Sequence, residues 1–193
     1  MTTLSPRSER KRKRLYNIGA PAILLCGKLI NTKRGFKMQE LPKPWFDLQA
    51  YKKTRLLEAK YEAEIARKFL DEGLIRNAAG KVYQAWKALV AGIAVDYRDK
   101  LRNLFTGKVK IRGGKVIEKV DWIIAIMPST VLKTVSQVIG GEISLYTNIA
   151  LLIHQYQYNG PDKEGIVSPY TTDEVAKNDI ILLLNEIEKI LSS

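Results

Sequence analysis

The chain has 193 residues, 46% of them hydrophobic and 27% charged, which is typical of a globular protein with its own core and excludes a largely disordered chain. Its net charge of +12 comes mainly from residues 1–37, which hold ten Lys or Arg and one acid, so the remaining 156 residues are nearly neutral. One cysteine, Cys26, and one histidine, His154, exclude an intrachain disulfide and argue against a zinc site, which needs about four Cys, His or acidic ligands.

Residues 1–40 are predicted to form a basic N-terminal extension. Arg10–Arg14 and the apolar segment Ile18–Gly27 have the order of a secretory signal, but glycine and proline interrupt the apolar segment and no clear cleavage site follows. Two interpretations stay open: a flexible basic arm, or an upstream extension of a protein whose native start is Met38. The apolar segment is well short of the roughly 20 residues of a membrane helix. We therefore expect a cytoplasmic location and no membrane partner.

Two long helices are predicted next in the chain. The first begins at Asp47, whose carboxylate suits an N-cap, and ends at Gly73. The second runs from Ile75 to Leu104 with apolar residues every three or four positions. Gly80 and Gly92 interrupt it at a cost of about 1 kcal/mol each, which indicates close packing against neighbouring helices. Its polar face holds Asn77, Lys81, Gln84, Lys87 and Asp96.

The middle of the chain is less regular. Val109–Ile117 alternates apolar and polar residues around Gly113-Gly114, a pattern that favours a short β-hairpin. Val120–Met127 is apolar apart from Asp121 and suits either a buried helical turn or a strand. Pro128 then opens another helix, because proline is favoured at helix starts.

The last two helices are each predicted from one apolar stripe. The first stripe holds Leu145, Ile149, Leu152 and Tyr156, and the second holds Ala176, Ile180, Leu183 and Ile187. The last helix follows a capping-box sequence at Thr171–Glu174. Together, the elements predict one all-α domain over residues 41–193, an up-and-down bundle of about five helices with a small β-hairpin near residues 109–117.

His154 is the first candidate for a functional role. On its helix it falls beside the apolar stripe, at the flank of the core and one turn before Tyr158. It is interpreted either as a hydrogen-bonded histidine at the core boundary or as a functional imidazole. The second candidate is the polar strip of Asn77, Lys81 and Gln84, which suits a phosphate or a partner's acid, unless it is only a solvated face.

Several segments resemble the archaeal PaREP proteins, multi-copy proteins of largely unknown role. The segments are Leu41–Trp45, Phe69–Leu74, Asn77–Ala88 and Leu152–Gly160. The resemblance covers about residues 41–191 and implies a relationship to the HEPN superfamily of helical bundles. Active members of that superfamily are metal-independent ribonucleases, often toxins, with an arginine five to seven positions before a histidine. Others are non-catalytic partners of small nucleotidyltransferases.

The arginine of this motif is absent when the pattern is carried onto His154. The three positions hold Thr147, Asn148 and Ile149. Since a cation is needed to stabilise charge on a scissile phosphate, the resemblance implies a non-catalytic binding module for a partner protein, nucleotide or RNA. The alternative is a divergent metal-independent ribonuclease that uses His154 and a charge from Lys81 or Arg76.

The resemblance also implies a homodimer, and a nucleotidyltransferase-type protein or RNA as further partners. No metal and no cofactor are predicted. The predicted binding residues are Asn77, Lys81, Gln84, Asn148 and Tyr158, beside His154 as the catalytic candidate.

Overall fold

The computed structural model describes residues 42–193, and the predictions made for residues 1–40 lie outside them. The described residues form seven helices and one two-stranded antiparallel sheet, so the predicted all-α bundle with a small hairpin is confirmed. In chain order the elements are α1 (Leu48–Asp71), α2 (Ile75–Ile93), α3 (Arg98–Leu104), β1 (Lys108–Lys110), β2 (Val116–Glu118), α4 (Lys119–Ile126), α5 (Ser129–Ile139), α6 (Gly141–Asn159) and α7 (Asp173–Ser192).

The predicted helix from Ile75 to Leu104 is in fact two helices, and this raises the helix count above five. A tight turn of i→i+3 hydrogen bonds separates α2 from α3 over residues 94–97. Asp96 of this turn also accepts from Lys52 of α1 at 2.5 Å. The apolar run Val120–Met127 supplies the other additional helix, α4.

Helix α2 is the centre of the bundle, and α1, α5, α6 and α7 all pack against it. Trp86 of α2 is completely buried, and its Nε1 donates to Thr147 Oγ1 of α6 at 2.9 Å. Both interior glycines lie where a neighbour approaches closely. A Cβ at Gly80 would lie 2.9 Å from Gln157 Nε2, and one at Gly92 would lie 2.9 Å from Leu56 Cδ2. The close packing predicted at these glycines is therefore present.

The apolar stripe predicted for α6 is only partly in the core. Tyr156 is buried, but Leu145 is 67% exposed and Leu152 is 38% exposed. The buried face of α6 instead holds Ile143, Thr147, Ala150, Ile153 and Tyr156. The predicted stripe is therefore wrong in part: the face that packs into the core includes Thr147, whose Oγ1 accepts from the buried indole N–H of Trp86, and a polar residue at this position was not expected in a core stripe.

The described residues contain no single helix that is long and apolar enough to cross a membrane. Only α4 and α5 taken together have the necessary length and composition, and they are bent by 104° at the break between them.

Candidate functional site: a groove over the central helix

An open cavity of about 600 Å³ lies over α2, with α1 and α6 at its sides, and we call it the α2 groove. Its lining residues are Phe69 of α1, then Arg76, Asn77, Gly80, Lys81 and Gln84 of α2, and Gln157 of α6. Three predicted binding residues are therefore brought together, namely Asn77, Lys81 and Gln84. The volume lies within the range of about 300–1,000 Å³ that is usual for small-molecule sites.

Two cations of the α2 groove have partners within the domain. Lys81 Nζ lies 2.8 Å from Glu62 Oε2 of α1. The Arg76 guanidinium donates to the backbone oxygens of Gln157 at 3.0 Å and Tyr158 at 2.6 Å. These carbonyls belong to the last turn of α6, where helical partners are missing, so Arg76 caps that helix. Its side chain thus joins α2, over which the groove lies, to α6 at one side of the groove.

Three aromatic rings form a stack one turn further along α2 from Gly80. The His154 ring lies parallel to the Tyr83 ring, with centroids 3.9 Å apart and planes at 15°. The Tyr158 ring meets His154 edge to face, at 5.1 Å and 79°. Tyr83 is buried at the inner end, whereas Tyr158 is 67% exposed at the outer end. We call this group the aromatic stack.

The surroundings of the His154 imidazole disfavour its protonated form. Burial lowers its pKa, the neighbouring Gln157 side chain offsets part of the effect, and the positive charge of Lys87 lowers the pKa further. Although Gln157 is this close, His154 Nδ1 is buried and no side chain or backbone group among residues 42–193 meets hydrogen-bond geometry with it. The first interpretation from the sequence, a hydrogen-bonded histidine at the core boundary, thus fits its position but not the contacts of Nδ1.

Beyond the aromatic stack lies a pair of half-buried cations. Lys87 Nζ is 5.8 Å from the Tyr83 ring centroid, within the range of a cation–π contact. Burial lowers the pKa of Lys87, Arg55 lowers it further, and Glu58 partly opposes both. Arg55 Nη1 pairs with Glu58 Oε2 at 2.7 Å, while its buried Nε has no hydrogen-bond partner in the described part of the chain. The Glu58 carboxylate thus lies near two cations, Arg55 and Lys87.

Asn148 lies apart from the α2 groove and the aromatic stack. It is exposed on α6, and its side-chain amide donates to the carbonyl of Leu145 at 3.1 Å, in its own helix. Helix geometry explains the separation, because Asn148 is six residues before His154 and projects from another face of α6.

Sequence reasoning missed Tyr83 and Gln157, which contact His154 and Gly80. Tyr83 lies at the edge of the predicted apolar face of α2, where a core position is the ordinary expectation. Its pairing with His154 joins positions 71 residues apart on two helices, and no local pattern signals such a contact. The nearest signal was Gly80, since a glycine inside a helix indicated that a neighbouring helix approaches there.

Among residues 42–193, no group of three or more His, Cys, Asp and Glu side chains is arranged to hold a metal ion. The fold and the site define a helical-bundle protein with an open groove over its central helix. The sequence pattern of the archaeal PaREP1/PaREP8 family matches residues 54–181, so the chain belongs to this family. Searches of curated proteins and of solved structures found no match.

Proposed function

We propose that this protein is a non-catalytic binding module whose α2 groove and aromatic stack bind a nucleotide, either free or as a unit of an RNA strand. The observation that carries the proposal is the direct succession, along one side of α2, of an open cavity of about 600 Å³, an exposed aromatic ring and two partly buried cations. A nucleotide combines a planar base with a phosphate, and the site offers a partner to each.

The charges along this side of α2 favour an anionic ligand. Four cations, Arg55, Arg76, Lys81 and Lys87, face two carboxylates, Glu58 and Glu62. Lys87 carries the strongest argument, because no carboxylate in residues 42–193 lies within 4.0 Å of its Nζ. A phosphate would supply the missing counter-charge in a partly desolvated position, where charge-assisted hydrogen bonds are strong.

The exposed ring of Tyr158 supplies a surface for base stacking. Stacking of a base on an aromatic side chain contributes about 1–3 kcal/mol and depends little on base identity. The edge-to-face contact with His154 holds the phenol ring in one orientation, so less side-chain entropy is lost on binding. Asn77 and Gln84 add hydrogen-bonding groups of both kinds within the α2 groove.

The resemblance to HEPN-like bundles agrees with this proposal, because non-catalytic members of that superfamily are partners of nucleotidyltransferases. Membership of that superfamily, the homodimer, a nucleotidyltransferase-type partner and the cytoplasmic location stay predictions.

Calorimetric titration of the full chain with ATP, AMP and a short single-stranded RNA tests the proposal and separates the two sources of nucleotide. Lys87→Gln should weaken binding at least about tenfold, because a hydrogen bond to a charged group contributes about 1.5–3 kcal/mol. Tyr158→Ala should weaken it by about tenfold as well, whereas Tyr158→Phe keeps the ring and should bind like the parent protein.

Lys53→Gln is the matched control, because Lys53 is exposed on α1, does not line the α2 groove and makes no cation–π contact with the aromatic stack. Weakening by Lys53→Gln equal to that by Lys87→Gln would show that only net charge matters. Absence of binding to all three ligands at millimolar concentration would also refute the proposal.

The second candidate is the divergent ribonuclease. One observation favours it: Lys87 lies against the Tyr83 ring on which His154 stacks, so it supplies a cation near the imidazole, where the motif lacks its arginine. The positive charge of Lys87 also lowers the pKa of His154. A neutral imidazole with a lowered pKa can act as a general base. Incubation with structured and unstructured RNA should then give cleavage that is lost in both His154→Ala and Lys87→Gln. Equal behaviour of the parent protein and both variants excludes this candidate.

A further inference from the structure

The positive charge of the described domain is concentrated in one segment. Residues 98–119, which hold α3 and the hairpin β1–β2, contain eight Lys or Arg and two acids. The rest of residues 42–193 contains 14 basic and 16 acidic side chains. The described domain as a whole is nearly neutral, but residues 98–119 carry a net charge of +6 and its other residues carry −2.

The base of the hairpin is fixed by arginines. Arg98 Nη2 and Arg102 Nη2 both donate to Glu118 of β2 at 2.8 Å, and Arg98 Nε donates to Asp121 at 2.7 Å. Glu118 is therefore neutralised by α3, and Asp121 is buried beneath it. The ion pairs hold α3 and the hairpin as one unit and cancel the negative charge of its strands.

The remaining cations of the hairpin project into solvent. They are Lys108, Lys110, Arg112 and Lys115, joined by Lys119 at the start of α4, and all five are exposed. None of them has a carboxylate partner within 4.0 Å among residues 42–193. Lys115 Nζ lies 3.8 Å from the centroid of the Phe46 ring, but the other four make no aromatic contact in the described residues.

Strand register places charge on the outer face of the hairpin. Lys108 pairs with Glu118 and Lys110 pairs with Val116, so these side chains share one face, while Val109 and Ile117 share the other. Ile117 is only 5% exposed, which shows that its face packs against the domain. Lys108 and Lys110 lie two residues apart on β1, about 6.7 Å along the strand, and place two cations on this outer face.

We propose that α3 and the hairpin form a second binding surface, which takes the sugar–phosphate backbone of a nucleic acid. A group of five exposed cations without carboxylate partners, on and beside a two-stranded ribbon, fits a polyanion, because binding releases its condensed counterions. A two-stranded β-ribbon also has the width to enter the major groove of a DNA duplex. This proposal does not rest on nucleotide binding at the α2 groove.

The side-chain chemistry of the hairpin favours a nucleic acid over an anionic membrane. A membrane-surface element needs an apolar face that enters the lipid beside its cations. On the hairpin the apolar face is occupied by the domain itself, since Ile117 is buried there. The exposed apolar side chains of this region are Val116 of β2, Leu104 of α3 and Phe46 beside Lys115, and they are outnumbered by the five exposed cations.

The test compares two triple variants of the full chain that change the net charge equally. One is Lys108→Gln/Lys110→Gln/Arg112→Gln on the hairpin. The other is Lys53→Gln/Lys60→Gln/Lys68→Gln on α1, where all three lysines are exposed. Fluorescence anisotropy with a labelled DNA duplex, an RNA duplex and a single-stranded RNA at several salt concentrations measures affinity and its salt dependence. Thermal unfolding checks that both variants keep the fold.

The hairpin variant should bind at least one of these nucleic acids more weakly than the α1 variant does. For a DNA duplex, the slope of log K against log salt should become shallower by about 0.9 for each phosphate that the variant no longer neutralises. The N-terminal residues 1–37 are identical in both variants, so any contribution of theirs cancels.

Three outcomes would overturn the proposal. The first is equal weakening of nucleic-acid binding by both triple variants. The second is parent-like binding and salt slope in the hairpin variant. The third is that the hairpin variant loses binding to phosphatidylglycerol vesicles, titrated in parallel, while its nucleic-acid binding is unchanged. Failure of this proposal is distinguishable from failure of the proposed nucleotide site, because ATP titration of Lys87→Gln and Tyr158→Ala tests the aromatic stack and its neighbouring cation and leaves the hairpin unchanged.

Discussion

The imidazole of His154 lies flat against the ring of Tyr83, with centroids 3.9 Å apart, and so joins α6 to the central helix α2. The stack covers one face of the imidazole, while Lys87 lies on the Tyr83 side with its Nζ 5.8 Å from that ring. Both effects disfavour the protonated imidazole, the first by desolvation and the second by charge repulsion.

The first prediction concerns the pKa of His154, which NMR titration measures without ambiguity because the chain has one histidine. The midpoint should lie below the ordinary value of about 6.5. Lys87→Gln should raise the pKa, since it removes a nearby positive charge, and Gln157→Leu should lower it further. A midpoint at or above that of a model peptide would contradict the buried position of the ring.

The same pKa shift makes the stability of the fold depend on pH. His154 binds a proton less readily in the folded chain than in the unfolded chain, so unfolding takes up protons once the pH falls below about 6.5. The free energy of unfolding should therefore decrease from about pH 6.5 down toward the folded pKa. Urea unfolding across this range should show the decrease in the parent protein and a flatter profile in His154→Gln. Identical profiles for the two would assign the pH dependence to other groups.

Another prediction tests the buried hydrogen bond between Trp86 and Thr147. Thr147→Val should lower the free energy of unfolding by about 1–3 kcal/mol, because it leaves the buried indole N–H without an acceptor. Trp86→Phe should also destabilise, but adding Thr147→Val to it should cost less than in the parent protein. A double-mutant cycle by urea unfolding measures this difference. Strict additivity would mean that the hydrogen bond contributes nothing to stability.

The cap that Arg76 provides for α6 gives a separate prediction. Arg76→Ala removes the donors to the carbonyls of Gln157 and Tyr158, and Arg76→Lys replaces a planar fork with a point charge. Hydrogen exchange of the Gly160 amide, which donates to Tyr156 in the last turn, should accelerate strongly in Arg76→Ala and less in Arg76→Lys. Unchanged exchange in both variants would show that the last turn of α6 is stable without the cap.

The sequence predicts those features of the fold that depend on contacts between near neighbours in the chain. The ends of α1 were predictable because Asp47 caps its first turn, accepting from Ala50 N at 2.9 Å, and Gly73 adopts a φ of +73° after its last turn. Both are contacts between near neighbours in the chain. The break after Ile93 was not predictable, because apolar residues recur every three or four positions through it as far as Leu104.

The candidate site shows the same limit. The polar strip of α2 was predictable from helical spacing. The sequence did not show that α6 lies beside this strip, or that the rings of His154 and Tyr83 stack. The hairpin illustrates a different limit: its turn was predictable from Gly113-Gly114, yet its charge was hidden by averaging over the domain. Burial of Ile117 on the opposite face is what directs the lysines outward, and that is a tertiary contact.

The last prediction separates the roles of the two interior glycines of α2. Gly80→Ala gains about 1 kcal/mol of helix propensity, and its Cβ meets the flexible end of Gln157, which can move; we expect a change in stability within about 1 kcal/mol. Gly92→Ala meets Leu56 at 2.9 and 3.1 Å under α1 and should destabilise by about 1–3 kcal/mol. Thermal and urea unfolding compare the two variants. Because Gln157 must shift in Gly80→Ala, the pKa of His154 should change there and stay constant in Gly92→Ala, and the reverse pattern would contradict the packing described for α2 and α6.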